Sequence, residues 1–224
     1  MPGLRILVMA KAPIPGAVKT RLRLDPVRAG RLQEALISDT VEKARAVFAT
    51  APVTVAASPA EHLESVRPLV GPEVSLVAQP EGELGERMLA GARGLFAEAE
   101  GPVIVLGTDA PTLPPENIRE AARSLVGEDR HDAALVPSED GGYVLIGLHA
   151  PHAALFEGIE WSTARVSGQT LAAADRAGLS VYETSPWYDV DEPEDLERLR
   201  AELARDPGLA SRTARLLAHW RTCC

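Results

Sequence analysis

Cysteine is all but missing from this chain. The two that occur, Cys223 and Cys224, are adjacent at the end of the sequence, where they can neither staple a fold nor supply zinc-ligand spacing. A disulfide framework is thereby set aside, and the pair reads as a dispensable tail in a reducing cytosol. Long apolar runs are missing too. The N-terminal run extends only from Ile6 to Ala10 before Lys11, too short for a signal-peptide core or a membrane span, so the expectation is a cytoplasmic protein with no membrane partner. Positive charge is in deficit, with 23 Lys and Arg against 32 Asp and Glu and a net charge of -9. Nucleic-acid affinity draws on many cationic phosphate contacts, so a general polyanion binder is excluded and any positive surface must be local. No repeat and no Ser/Gly-rich linker divides the chain. With 224 residues and 46% hydrophobic content, one domain spanning residues 1–224 is expected.

Short β-branched runs alternate with longer segments of helical period, which predicts an α/β chain of three layers, α/β/α, around a mostly parallel sheet. The expected strands are Arg5 to Ala10, Val53 to Ala57, Val74 to Ala78, Val103 to Gly107, Ala133 to Pro137, Tyr143 to Leu148 and Ser180 to Glu183. A first helix opens with Asp25 as N-cap and Pro26 at its first position, and carries Leu32, Leu36, Val41, Ala44 and Phe48 as its buried stripe. Others are expected over Ala60 to Leu69, Leu84 to Ala99, Pro115 to Val126, Thr163 to Ala177, Pro193 to Ala204 and Leu209 to Trp220, with Gly178 stopping the fifth. The segment Ser138-Glu139-Asp140-Gly141-Gly142 joins two strands without a helix, which predicts a hairpin-like excursion and a mixed sheet.

Two acidic loops stand out. Thr108 and Asp109 end the apolar run Val103 to Leu106, and Tyr188-Asp189-Val190-Asp191 precedes an amphipathic helix. Acids at the carboxyl ends of buried strands lie where open α/β sheets bind ligands, and two brought together can hold a hard divalent cation against phosphate oxygens. Asp189 and Asp191 share one side of an extended segment, and Asp191 could instead cap the helix at Pro193. After the first strand, Ala10 to Leu22 carries Lys11, Lys19 and Arg21 with Gly16 and two prolines. Glycine admits close backbone approach while Lys and Arg offer charge to oxyanions, which suits a di- or triphosphate, although a solvated basic loop has the same composition. Gln79, Gly82 and Gly85 lie after the third strand at a helix start, where backbone groups could approach a base or ribose. Glu86 reads as solvated, and Arg87 is balanced between solvation and function. Asp140, Gly141 and Gly142 are either a site loop or a bare turn. Trp161-Ser162-Thr163 looks like a cap after an aromatic residue, and Trp187-Tyr188 is either packing or an acceptor wall. His62, His131, His149, His152 and His219 show no metal spacing or partnered nucleophile and receive no role.

Taken together, A-K-A-P-x-P-G-x-V-K-T-R-L, L-G-E-R-M, G-T-D-x-P-x-L, E-D-G-G-Y, W-S-T and Y-D-V-D-x-P-E-D-L, in that order from Met9 to about Leu196, resemble the bacterial DUF2064 family. Its members are usually labelled GT-A-fold glycosyltransferases or transferases associated with radical-SAM/selenodomain proteins, and are similar to 2-phospholactate and molybdenum-cofactor guanylyltransferases. The resemblance implies the nucleotide-diphospho-sugar transferase fold, with Asp109 and Asp191 as metal ligands and Lys11, Lys19 and Arg21 as the phosphate loop. The chain lacks the G-G-x-S-x-R-M loop of the molybdenum-cofactor enzymes, and has D-G-G-Y where phospholactate guanylyltransferases have D-G-G-T-N.

Three functions compete. In nucleotidyl transfer, a phosphorylated small-molecule acceptor attacks the α-phosphate of an NTP and releases pyrophosphate, with Mg2+ (or Mn2+) on Asp109 and Asp191 and the three cations on the remaining phosphates. In glycosyl transfer from an NDP-sugar, Asp140 or Glu139 would be the base. A nucleotide-binding module without turnover is the third. Ala10, Gly16, Gln79, Gly82, Gly85, Thr108, Asp140, Gly141, Gly142 and Trp161 are the expected substrate contacts, and Lys11, Lys19, Arg21 and Asp109 the catalytic set. The multi-cation loop favours nucleotidyl transfer.

Overall fold

The structure, a computed structural model, describes residues 1 and 3–222, without the side chains of residues 221 and 222. Cys223 and Cys224 lie outside the described residues. The first strand sets the architecture. In β1 (Arg5–Lys11) every residue but the last is buried, as a central strand requires, and its side chains alternate between two cores. Ile6 and Val8 join one apolar cluster and Leu7 and Met9 another on the opposite face. Around it lie β2 (Val53–Ser58), β3 (Ser75–Ala78), β4 (Val103–Gly107), β5 (Ala133–Pro137), β6 (Tyr143–Leu148) and β7 (Val181–Glu183), in the order β3-β2-β1-β4-β6-β5-β7. All pairings are parallel except those of β6, which runs antiparallel to β4 and β5. The loop from Ser138 to Gly142 therefore makes the expected hairpin, and the register shifts between Val136 and Pro137 at its entry.

The helices are α1 (Pro26–Val47), α2 (Leu63–Val70), α3 (Leu84–Glu98), α4 (Pro115–Arg123), α5 (Val166–Arg176), α6 (Pro193–Arg205) and α7 (Ser211–Thr222). Asp25 caps α1 by accepting from Val27 N and Arg28 N at 3.1 and 3.0 Å, which satisfies two of the donors a helix start leaves free. Some boundaries shift. α5 begins at Val166 rather than Thr163, because Ser162 is left-handed (φ 62°) and Thr163 Oγ1 donates to Glu160 O and accepts from Arg165 N. α4 ends at Arg123 rather than Val126, where Leu125 and Val126 already bond three residues back. Residues 60–62 form a separate 3-10 turn ahead of α2. Among the described residues no helix is long and apolar enough to cross a membrane.

A third apolar cluster joins α1 to α6 and α7 through Leu32, Leu36, Leu199 and Trp220. It is pinned by a buried acid within the helix: Asp39 accepts from Arg212 N at 3.0 Å and Thr213 N at 2.8 Å, capping α7 from the side of α1. Removing that carboxylate strands two amides at the helix start, so Asp39→Ala is expected to lower unfolding free energy by about 2 kcal/mol. Glu42 lies 3.7 Å from Arg212 in a largely exposed pair, and Glu42→Ala should cost less than about 0.5 kcal/mol. Urea unfolding of both variants checks the contrast, and equal losses would contradict the capping role.

Candidate functional site

β1 leads to β2 and β3 on one side, and the chain then returns to form β4 on the other. This topological switch opens a crevice at the carboxyl ends of β1 and β4, where open α/β sheets place ligands. A cavity of about 560 Å3 lies there. Its shape follows from a few tethers. Thr108, 4% exposed, accepts from Gln33 Nε2 at 3.3 Å, and the same amide donates to Lys11 O, so α1 fixes both strand ends. Val190 N donates to Asp109 O at 2.8 Å, and Trp187 N to Pro137 O at 2.9 Å, which lays the segment after β7 across the ends of β5 and β4. In that segment Tyr188 and Val190 are buried in the third cluster, and Asp189 and Asp191 line the cavity by alternation.

These tethers bring three charges together. Lys19 Nζ lies 2.6 Å from Asp109 Oδ1 and 3.2 Å from Asp191 Oδ1, and donates to Val190 O at 2.7 Å. Its side chain is only 5% exposed, against 46% and 42% for the two carboxylates. Burial pulls the Lys19 pKa down, but the charges and hydrogen bonds of Asp109 and Asp191 raise it overall, so the ammonium stays charged. Arg21 lies beside it, 65% exposed, with NH1 4.0 Å from Asp191 Oδ2. Asp109 and Asp191 thus offer hard carboxylate oxygens to one cation position. That donor set fits Mg2+ or Mn2+ completed by substrate oxygens, the usual arrangement for Mg2+. Among the described residues no group of three or more His, Cys, Asp or Glu could hold a metal ion unaided.

Of the other residues singled out in the sequence, Ala10, Lys11, Gln79, Thr108, Asp140, Gly142 and Trp161 line the same cavity, whereas Gly16, Gly82, Gly85 and Gly141 do not. The space beside Gly85 is filled by Trp161, whose ring would lie 2.3 Å from a Cβ there, so the glycine seats an aromatic wall rather than admitting a base. Gly141, at φ 92°, abuts Ala164 O and closes the hairpin loop onto the start of α5. Gln79 spends both ends of its amide on protein, donating to Ala10 O and Ala56 O and accepting from Arg87 NH1 at 2.9 Å. Glu139, one of the two candidate bases, is paired with Arg198 at 2.6 Å outside the cavity lining. Asp191 does not cap α6; Glu192 and Asp195 form that capping box. Trp187 and Tyr188 do not line the cavity, and Tyr188 instead donates to Glu202.

Several cavity residues had weak or no sequence signal. Gln33 could have been noticed as an amide on the buried stripe of α1. Arg87 enters the cavity from the first turns of α3, with its Nε buried and unpartnered. Ser138 donates to Asp189 Oδ1 at 2.8 Å, and burial, with Asp140 and Asp191 nearby, raises Asp189 to about 6 despite that bond. Met9, Met88, Val105, Ile146 and Tyr143 supply an apolar floor.

A search of curated proteins finds no match. The structure superposes on that of a protein from Desulfovibrio desulfuricans G20 provisionally described as a nucleotide-diphospho-sugar transferase, with a TM-score of 0.84 and 31% identity over 99% of this chain and 96% of that one. More distant likenesses show the fold alone. A CMP:2-keto-3-deoxy-manno-octonic acid synthetase complexed with CTP has a TM-score of 0.60 and 15% identity, over 91% of this chain and 99% of the other. A cytidylyltransferase from Leptospira borgpetersenii serovar Hardjo-bovis (strain JB197) has a TM-score of 0.61 and 14% identity, over 98% and 94%. The family model described as "Uncharacterized protein conserved in bacteria (DUF2064)" matches residues 40–163, a stretch that includes Asp109. Matched over more than half its length, and with the nucleotide-diphospho-sugar transferase fold throughout, the chain belongs to the DUF2064 family.

Proposed function

We propose that this protein is a nucleotidyltransferase that moves an NMP unit from an NTP to a phosphorylated small-molecule acceptor and releases pyrophosphate. The observation that carries the reading is the charge arrangement of one cavity. Lys11, Lys19, Arg21 and Arg87 line it together with Asp109, Asp140, Asp189 and Asp191. Their formal charges cancel, so a nucleoside triphosphate entering this crevice needs a further cation, and the Asp109–Asp191 pair is where the protein would hold Mg2+ or Mn2+. Bound there, the divalent ion would supply charge stabilisation at the α-phosphoryl oxygens. Lys11 and Arg21 bind the β- and γ-phosphates and stabilise departing pyrophosphate. An acceptor phosphate oxygen forms the new bond to the α-phosphorus as the α–β bridging bond breaks, the bridging oxygen leaves on pyrophosphate, and a dianionic acceptor has no proton to lose. Positioning and electrostatics carry the acceleration, with no protein nucleophile.

The fold of the cytidylyl-transferring neighbours and the description of the Desulfovibrio protein support a nucleotide-transferring role. Glycosyl transfer from an NDP-sugar is the second reading. It is favoured by Asp140 and Asp189, two carboxylates in the cavity wall suited to accept a proton from an acceptor hydroxyl.

A matrix of NTPs against phosphorylated metabolites, read as pyrophosphate release, with NDP-sugars in parallel read as free NDP, separates the two. Pyrophosphate release that requires both acceptor and Mg2+ is expected, and NDP release alone would replace nucleotidyl with glycosyl transfer. In that assay Asp109→Asn should stay folded and lose activity by on the order of a hundredfold, since a neutral amide is a poor ligand for a hard cation. Full activity in the folded variant would remove Asp109 from the site. Asp191→Ala should raise the Mg2+ concentration for half-maximal activity by about tenfold or more, with the α6 cap intact because Glu192 and Asp195 provide it. Asp189→Ala should leave that titration nearly unchanged, and a reversed order between the two aspartates would assign the metal to Asp189.

A further inference from the structure

Resting on the nucleotidyl-transfer reading, we propose that Lys19 is a resident counter-cation that closes the acid pair to free divalent ions, so that the protein takes up its metal only together with a polyphosphate. Two carboxylate oxygens, one from Asp109 and one from Asp191, lie within 3.2 Å of Nζ. A divalent ion bridging the same oxygens at about 2.1 Å would occupy the volume the ammonium now fills. The two cations are therefore alternatives at one position.

Displacing the ammonium is unfavourable without a replacement partner. The side chain is 5% exposed, and among the described residues its hydrogen-bond and ion-pair partners are Asp109, Asp191 and Val190 O. Expelled alone, it would leave a cation near the protein interior with its charge uncompensated. A polyphosphate removes that penalty by offering Nζ new anionic oxygens while its other oxygens complete the metal's coordination. Lys19 sits at φ 50° and Arg23 at φ 55°, left-handed conformations uncommon for residues with side chains, and Lys19 is anchored there through Nζ. Val18 and Leu22 are buried on either side of it, so the exchange asks only the Lys19 side chain to move. Metal and polyphosphate then favour each other's binding by reciprocal coupling.

The test measures Mn2+ bound to protein by equilibrium dialysis, without nucleotide, for the parent, Lys19→Gln and Lys19→Met. Both variants, checked for folding by circular dichroism, are expected to bind Mn2+ alone at least about tenfold more tightly than the parent. A parent that binds free Mn2+ as tightly as the variants overturns the proposal and leaves the acid pair as an ordinary open metal site. The parent alone gives an independent check through its thermal midpoint. Mn2+ by itself should shift it little, and Mn2+ with inorganic triphosphate should raise it, whereas an equal rise with Mn2+ alone again overturns the proposal. If neither Mn2+ nor Mn2+ with triphosphate binds any of the three proteins, the metal-dependent nucleotide reading falls, and this inference with it.

Discussion

Two carboxylates from distant parts of the chain share one buried ammonium. Asp109 follows β4 and Asp191 follows β7, and left alone they would repel each other in a crevice of lowered dielectric. Lys19 removes that repulsion by bonding both, and its third bond, to Val190 O, ties the ammonium to the same backbone that Asp109 O holds through Val190 N. Loops after β1, β4 and β7 are thereby joined at a point. Arg21, from the same loop as Lys19, reaches Asp191 at that junction. A buried ion pair of this kind contributes little net stability compared with apolar packing. It does define where a cation belongs, and that bears on function more than on folding.

The periodicity of the chain made its strands and helices legible, since central strands such as Val103–Gly107 are continuously apolar and helices such as Pro26–Val47 carry a cap and a stripe. Strand order was not legible. Nothing local to Tyr143–Leu148 says that it inserts between β4 and β5 rather than adding at an edge, because that choice is made by pairing partners far apart in sequence. Boundaries failed where a side chain competed with the helix, as Thr163 does by bonding Glu160 O. In the site, the acids and cations were visible as residue types at strand ends. Their mutual arrangement was not. By residue type Lys19 is a phosphate ligand of the same kind as Lys11 and Arg21, and only the fold distinguishes a lysine held by two acids from two cations on the cavity rim. Gly85 read as room for a ligand, yet Trp161 from another loop takes that room.

A wall of balanced charge over an apolar floor binds a polyanion only when the ligand brings its own counter-charge, which is why the cation position between Asp109 and Asp191 is central to the functional account. The most direct test is a crystal structure with Mn2+ and an NTP analogue whose α–β bridge cannot be cleaved, read in an anomalous difference map. The account predicts a manganese peak bonded to Asp109 and Asp191 and to an α-phosphate oxygen, with Lys19 Nζ moved onto the phosphates. A nucleotide bound in the crevice with Lys19 still seated between the two acids, or manganese bound elsewhere, would contradict it.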